Sequence, residues 1–421
     1  MKASISKSII KGSVIAPSSK SYTIRALICA ALAEGKSEII NPLGSDDTEA
    51  CQDILSALGV RIEQGDTSWL VEGGTLHQPD RDLYCRESAA TQRFMTAVCS
   101  IVQGTCRLTS APSLARRPVQ PLIQPLHQLG IKCFNDEADS SITVNGGSLK
   151  GGVAELPGDI SSQYVSALLF ISPYAENGMT VRLTTSLESK PYVLMTLDCL
   201  EKFGVEVEYS DEMREYRTAR QIYKPTRYTI EGDWSSASYL LTAGAVAGEV
   251  EVKNLKPNSL QGDKVLLNFL RDMGAMVDTS TNGISVKKSP LKACKVDLTD
   301  CIDLLPTMAV LAAMAEGTSE FTGIARARIK ESNRVSAVKT GLEKSGIKVF
   351  EEKDKLMITG GEINSAVIDS NNDHRIAMAF SLLGLKSGNI EIENAECISK
   401  TYPEYWDILK RIGGEVKIDD K

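Results

Sequence analysis

The sequence predicts a two-domain α/β protein assembled from six copies of one structural unit. Three observations carry this. A phrase of glycine, two or three residues and an alternating strand recurs: Gly35-Lys36-Ser37-Glu38-Ile39-Ile40, Gly104-Thr105-Cys106-Arg107-Leu108, Gly178-Met179-Thr180-Val181-Arg182-Leu183, Gly248-Glu249-Val250-Glu251-Val252, Gly317-Thr318-Ser319-Glu320-Phe321 and Gly388-Asn389-Ile390-Glu391-Ile392. The successive glycines are 69, 74, 70, 69 and 71 residues apart, and a regular period of this kind fixes architecture. The chain, at 421 residues, is also too long for one hydrophobic core.

Each part of the unit has its own signal. An apolar stretch precedes each glycine phrase, as in Ser235 to Ala247 and His374 to Leu383. Apolar character nearly all round predicts buried helices, with Ser161 and Ser235 standing at N-cap positions. After each phrase comes an amphipathic helix that stops at a second glycine: Gly59, Gly130, Gly204, Gly274, Gly346 and Gly413. The residues beyond, such as Val205-Glu206-Val207-Glu208-Tyr209, alternate as a strand does. The unit reads helix, strand, helix, strand, with short strands completing it. Solenoid repeats are shorter, roughly 20–50 residues, so two globular domains of three units each are expected. The break falls near Lys224-Pro225-Thr226, and two similar domains leave a cleft between them as the expected ligand site.

Composition narrows the function classes. Hydrophobic residues at 42% and charged residues at 24% are ordinary for a globular protein. A net charge of −7 argues against general nucleic-acid binding. Ten cysteines with no CxxC pair suit thiols in a reducing cytosol. The start Met1-Lys2-Ala3-Ser4-Ile5 lacks a signal-peptide pattern, and no run reaches the ~20 apolar residues of a membrane helix. Three scattered histidines predict no metal site. No phosphate-binding GxxxxGK[ST] loop, dinucleotide fingerprint or GxSxG elbow is present, so ATP-driven and hydride-transfer chemistry have no sequence support.

The polar residues that remain gather at the mouths of apolar helices. Lys20, Ser21 and Arg25 lie at the start of one, where free N–H groups and a partial positive charge favour carboxylate or phosphate. A solvated helix start accounts for them equally well. Ser161, Ser162 and Gln163 open another buried helix and suit a polar ligand, or plain capping. Ser189-Lys190-Pro191-Tyr192 closes that unit's strand. Arg93, Arg116-Arg117, the run from Arg326 to Arg334, His374-Arg375 and Ser399-Lys400 place cations at related points of other units. Such runs are usually solvated faces; converging in one cleft, they would grip a substrate with several anionic groups. Asp303 opens a buried stretch and Glu331 lies between Lys330 and Arg334. Both suit proton transfer tuned by burial and charge, while a helix cap and a local ion pair are the alternatives.

In the order PSSKSYTIRAL, ARRP, SSQYVSALL, SKPY, EGDWSSASY, RIKESNR, NDHRIAMAFSL and SKTYPEYW, these motifs resemble the 5-enolpyruvylshikimate-3-phosphate synthase family of enolpyruvyl transferases, from residue 17 to 406. The resemblance implies a two-domain inside-out α/β barrel with βαβαββ-like units. Residues 16–228 would form the shikimate 3-phosphate side, and residues 1–15 with 229–421 the phosphoenolpyruvate side. It implies transfer of the enolpyruvyl group of phosphoenolpyruvate to the 5-hydroxyl of shikimate 3-phosphate, with no cofactor or metal, by a cytoplasmic monomer. Shikimate 3-phosphate would meet Lys20, Ser21, Arg25, Ser161, Ser162, Gln163, Ser189, Tyr192, Asp303 and Lys330. Phosphoenolpyruvate would meet Lys20, Arg93, Arg117, Gln163, Arg334, Arg375 and Lys400. Asp303 would be the base on the 5-hydroxyl, and Glu331, assisted by Lys20, the group that protonates the methylene carbon.

Two related readings compete. The enolpyruvyl transferase that acts on UDP-N-acetylglucosamine carries a reactive Cys six residues before an ARP-like motif, a position that is Pro112 here. A catalytically impaired homologue that senses shikimate 3-phosphate is the other. The altered segment Arg86-Glu87-Ser88-Ala89-Ala90-Thr91-Gln92-Arg93 motivates it, and retention of Lys20, Asp303, Glu331, Arg334 and Lys400 opposes it. In that segment Glu87 replaces a usual Asn and Ala89 a usual Gly, while Ser18 replaces the Gly of PGSKS. The glycine lies where glyphosate crowds the phosphoenolpyruvate pocket in the family. The methyl of Ala89 is therefore expected to weaken glyphosate more than substrate. Inhibition assays against glycine-bearing relatives check this, and equal inhibition overturns it.

Overall fold

Among the described residues, six four-stranded sheets embody the sixfold repeat. The computed structural model describes residues 1–136, 138–280 and 283–419. In every sheet the strand of the glycine phrase pairs in parallel with one neighbour and antiparallel with the other, and a further antiparallel strand completes the four. Two units result: a central one, Ser18–Glu231, and a terminal one, Met1–Pro17 with Gly232–Lys421. Each encloses its own hydrophobic core.

Some strands are borrowed across long stretches of sequence. Arg227–Thr229 supplies the parallel neighbour of Gly35–Ile40 in the central unit. In the terminal unit Ile10–Ile15 does the same for Gly248–Lys253, and Lys2–Ile5 lies between Ile390–Glu393 and Val416–Asp419. The crossover closes each set of three units, since each set takes a strand from beyond its own run of repeats.

The apolar stretches are helices buried inside each unit. We label them α1 (Lys20–Leu32), α2 (Ala89–Val98) and α3 (Ser162–Ile171) in the central unit. The terminal unit holds α4 (Trp234–Ala247), α5 (Leu305–Ala313) and α6 (His374–Ser387). All fourteen residues of α4 are buried, as its all-round apolar sequence requires. α2 and α3 meet through Phe94 and Phe170, edge to face with centroids 5.1 Å apart.

The repeated glycines answer two backbone demands. The six helix-stop glycines all have φ between +79° and +101°, the left-handed geometry of a helix C-terminus. Five of the six phrase glycines also have positive φ, whereas Gly248 is extended at φ 170°. There the constraint is space, because a Cβ on Gly248 would lie 1.8 Å from the carbonyl oxygen of Ile10.

Two expectations need correction. Ser161 caps α3, but Ser235 is the second residue of α4 and not its cap. Asp233 takes that place, its carboxylate accepting from the Ser236 N–H at 2.7 Å, which leaves the Ser235 hydroxyl for a different partner. The alternation from Val205 to Tyr209 yields a strand of only Glu208–Tyr209, since only these two residues pair with the strand Glu215–Thr218. Among the described residues no helix is long and apolar enough to cross a membrane, and the ten cysteines form no disulfide.

Gly248→Ala is expected to force apart the Ile10–Ile15 and Gly248–Lys253 pair and to cost about 1–3 kcal/mol or more. Urea unfolding checks this, and an unchanged midpoint contradicts it.

Candidate active site

In the central unit the polar residues at the helix mouths fall into local hydrogen-bonded and ion-paired groups. Ser19 caps α1, so Lys20 begins the helix, and its ammonium pairs with the buried Asp47 at 2.8 Å. Arg25, one turn further on, is 2% exposed. Its Nε donates to Thr196 Oγ1 at 2.8 Å, Nη1 to the Ser21 carbonyl at 2.9 Å and Nη2 to the Tyr192 carbonyl at 3.0 Å. Thr196 in turn donates to Ser166 of α3 at 2.8 Å, and the guanidinium lies 5.3 Å from the Phe94 ring centroid of α2. Burial lowers the pKa of Arg25, and these partners are what keep a charge tolerable there. Arg25 thus ties all three helices together and orients the backbone at Ser21 and Tyr192.

Arg93 of α2 joins the mouth of α3. Its Nη1 donates to Gln163 Oε1 at 2.7 Å and Ser161 Oγ at 3.2 Å, and its guanidinium lies 4.9 Å from the centroid of the Tyr164 ring. Ser162 is buried beside them. Ser189 holds φ +55° at the start of the helix Lys190–Lys202, and its carbonyl accepts from the Tyr192 N–H at 3.1 Å. Arg117 is half-buried just past the short helix Pro112–Ala115, while Arg116 is exposed. In the divergent segment Arg86 pairs with Glu49 at 2.8 Å and Asp53 at 2.7 Å, Glu87 accepts from Ser113, and Ala89 is the buried first residue of α2.

The terminal unit gathers the acid–base candidates around one guanidinium. Arg334, capped by Asn333 at the start of the helix Arg334–Lys344, is 1% exposed. Its Nε donates to Asp373 Oδ2 at 2.7 Å, Nη1 to Asp303 Oδ1 at 2.7 Å and Nη2 to Glu331 Oε2 at 2.5 Å. Arg375 Nη2 reaches Asp303 Oδ2 at 3.1 Å, Lys330 lies 3.4 Å from Asp303, and Lys400 lies 3.9 Å from Glu331. The sequence-predicted Asp303, Lys330, Glu331, Arg334, Arg375 and Lys400 therefore meet in one cluster. Neither alternative for the carboxylates is sufficient. Asp303 caps no helix, since Leu304 precedes α5, and Glu331 pairs with Arg334 as part of a wider group.

The electrostatics follow from this packing. Burial works to raise the pKa of Asp303, but Arg375, Lys330 and Arg334 outweigh it and hold the carboxyl well below its usual range. Burial lowers Lys330 to about 8 against the pull of Asp303. Burial opposes the charge on Arg334 too, and Asp373, Glu331 and Asp303 overcome it. As it stands, Asp303 is ionised and a weak base, and any anion that draws away one of its cations strengthens it.

Sequence reasoning missed several supporting groups. Asp47 and Thr196 hold Lys20 and Arg25. Asp373 caps α6 through the Arg375 N–H at 3.0 Å while also accepting from Arg334 and from Ser332 at 3.0 Å. The signal for Asp47 was its place, just after a glycine-phrase strand, where other units carry Arg117, Lys190 and Glu331. Asp373 stood in the cap position of a quoted motif.

Arg334→Leu would leave three carboxylates without their shared cation. A loss of about 3–5 kcal/mol is expected at neutral pH. Asp303 contributes stability that is fully present above the ordinary carboxylate pKa and is lost as pH falls through its lowered folded value, so the gap to the unmodified chain should narrow only below about pH 4. Urea unfolding across pH checks this, and a pH-independent gap argues against it.

Comparison with known proteins agrees with these features. Residues 6–409 match the family EPSP synthase (3-phosphoshikimate 1-carboxyvinyltransferase). A 3-phosphoshikimate 1-carboxyvinyltransferase of Dehalococcoides mccartyi is 47% identical over 421 residues, covering 100% of both chains. One from Methanothermobacter thermautotrophicus is 41% identical over 96% of each. The solved EPSP synthase of Acinetobacter baumannii superposes with a TM-score of 0.83 at 26% identity, over 99% of this chain and 100% of that one. With the repeated sheets, the buried helices and the motif residues at their mouths, these matches establish that the chain belongs to the EPSP synthase (3-phosphoshikimate 1-carboxyvinyltransferase) family.

Proposed function

We propose that this chain transfers the enolpyruvyl group of phosphoenolpyruvate to the 5-hydroxyl of shikimate 3-phosphate and releases phosphate, a step of aromatic amino-acid biosynthesis. Full-length similarity to curated 3-phosphoshikimate 1-carboxyvinyltransferases supports the reaction. The observation that carries the chemistry is the shared guanidinium. Asp303 and Glu331 come from separate elements, and Arg334 holds one oxygen of each.

In this reading shikimate 3-phosphate is held by Lys20, Ser21, Arg25, Ser161, Ser162, Gln163, Ser189, Tyr192, Asp303 and Lys330. Phosphoenolpyruvate is held by Lys20, Arg93, Arg117, Gln163, Arg334, Arg375 and Lys400. Arg25 acts largely through the backbone it fixes at Ser21 and Tyr192. The substrates' anionic groups compete with Asp303 and Glu331 for the same cations. As Arg375 and Lys330 turn to substrate, Asp303 becomes basic enough to accept the 5-hydroxyl proton. The oxygen adds to C2 of phosphoenolpyruvate while Glu331, aided by Lys20, delivers a proton to the methylene carbon. The tetrahedral adduct then loses phosphate while Glu331 takes back a proton from the methyl carbon, and the enol ether forms. Fixed cations stabilise the charge that develops on the phosphate and carboxylate. The chain works as a cytoplasmic monomer, divided into one side for each substrate at residues 16–228 and at 1–15 with 229–421.

A coupled phosphate-release assay tests the reading. Release that requires both compounds is expected, with Asp303→Asn and Glu331→Gln each lowering kcat by about 10²-fold or more in folded protein. Binding of shikimate 3-phosphate without release would favour a sensing role instead. Release with UDP-N-acetylglucosamine in place of shikimate 3-phosphate would favour the sister reaction.

A further inference from the structure

The divergent segment from Arg86 to Arg93 contributes only Arg93 to the mechanism above. Arg86, Ser88 and Thr91 are tied instead to one neighbour in the central unit, the helix Asp46–Ala57. Arg86 takes φ +51°, the left-handed region that residues other than glycine seldom enter. Two hydrogen bonds hold it there. The Ser88 N–H donates to the Cys85 carbonyl at 3.0 Å, and the Ala111 N–H donates to the Arg86 carbonyl at 2.9 Å. From this turn the guanidinium pairs with Glu49 at 2.8 Å and Asp53 at 2.7 Å, one turn apart on the helix.

A second, buried tie reaches the residue that holds Lys20. The Ser88 hydroxyl donates to Thr91 Oγ1 at 2.9 Å, and Thr91 Oγ1 donates to the Asp47 carbonyl at 3.2 Å. Ser88 and Thr91 are both fully buried. The loop leading into the same helix is held from α1, where Thr23 Oγ1 accepts from the Leu43 N–H at 3.1 Å. Asp47 is therefore anchored to α2 through its own backbone and to α1 through the loop before it. This anchoring matters for Lys20. A lysine is a point charge on a flexible four-carbon stem, so its partner decides where the charge sits. That partner is the buried Asp47 carboxylate, 2.8 Å from the ammonium.

We propose that Thr91 is a positioning residue for Lys20, acting through Asp47, with Arg86 as its outer support. The Thr91 hydroxyl fixes the Asp47 backbone, the Asp47 carboxylate fixes the ammonium, and the ammonium meets the anionic groups of the substrates. The buried bridge carries most of the effect. The Arg86 ion pairs are half-exposed, and pairs of that kind contribute little and are screened by salt. The inference rests on Lys20 binding shikimate 3-phosphate as proposed above.

Calorimetric titration with shikimate 3-phosphate gives Kd for the full chain and for Thr91→Val, each with Lys20 intact and with Lys20→Met. Val keeps the shape of Thr without its hydroxyl. With Lys20 intact, Thr91→Val is expected to weaken binding about three- to tenfold. Thr91→Ser, which retains the hydroxyl, should bind within about twofold of the unmodified chain. With Lys20→Met, Thr91→Val should add less than about twofold, because the group it positions is gone. A merely structural role would weaken binding by the same factor in both backgrounds, and that result overturns the inference. Unchanged affinity in Thr91→Val, or a Thr91→Ser variant that stays as weak as Thr91→Val, also overturns it. Should Thr91→Val fail to fold, Arg86→Gln carries the same cycle. Its expected loss is about twofold at low salt, vanishing in about 1 M salt and with Lys20→Met. No loss at low salt, or an equal loss with Lys20→Met, overturns the inference by that route. Absence of both binding and phosphate release in the unmodified chain removes the functional reading itself, and this inference with it.

Discussion

The buried guanidinium of Arg334 is the interaction on which the terminal unit's chemistry depends. A charge taken out of water is tolerated only when it is paired and hydrogen-bonded, and Arg334 meets that condition with Asp303, Glu331 and Asp373 at once. These carboxylates come from the approach to α5, the loop before the Arg334 helix and the cap of α6. The planar fork of Arg spans three partners in a way that a lysine ammonium would not, so the elements are fixed in angle as well as in distance. Together with Arg375 and Lys330, which weigh more, the same guanidinium keeps Asp303 ionised against burial. Structural clamp and electrostatic tuning are one arrangement.

The sixfold repeat supplies that arrangement with equivalent positions to fill. Buried helices present their N-termini, where free N–H groups favour anions, and the segment after each glycine-phrase strand brings a second polar group to each mouth. The positions recur while their chemistry varies. One mouth holds a lysine with its aspartate, another an arginine bridging to a serine and a glutamine, and a third an aspartate under several cations. At the first position of α4, where α1 has Lys20, stands the uncharged Trp234, and the nearby Asp263 accepts from Ser235.

Local features were legible in the sequence because their causes are local. A helix end in left-handed geometry demands glycine, and all six predicted stops have it. All-round apolarity predicted buried helices, and α4 is buried along its whole length. The cap of α4 was misassigned because Asp233 and Ser235 are both competent caps. The choice was made by Gln261, which satisfies the Trp234 N–H, and by Asp263, which accepts the Ser235 hydroxyl. Neither partner is adjacent in sequence. For the same reason Thr196 carried no signal in the sequence, and the positions of Asp47 and Asp373 acquired their meaning only when their partners were in place.

By itself the sequence determined the period, the helices and strands of each unit, the family motifs and the identity of the charged groups, since each rests on residues within a few positions of one another. Tertiary structure decided which strand closes which sheet, as when Lys2–Ile5 joins the strands near residues 390 and 416, because strand pairing depends on chain ends meeting in space. It also decided which charge answers which. Ionisation inside a protein is set by distance and burial, and residues 303, 331, 334 and 373 acquire both only when the helices of their unit pack.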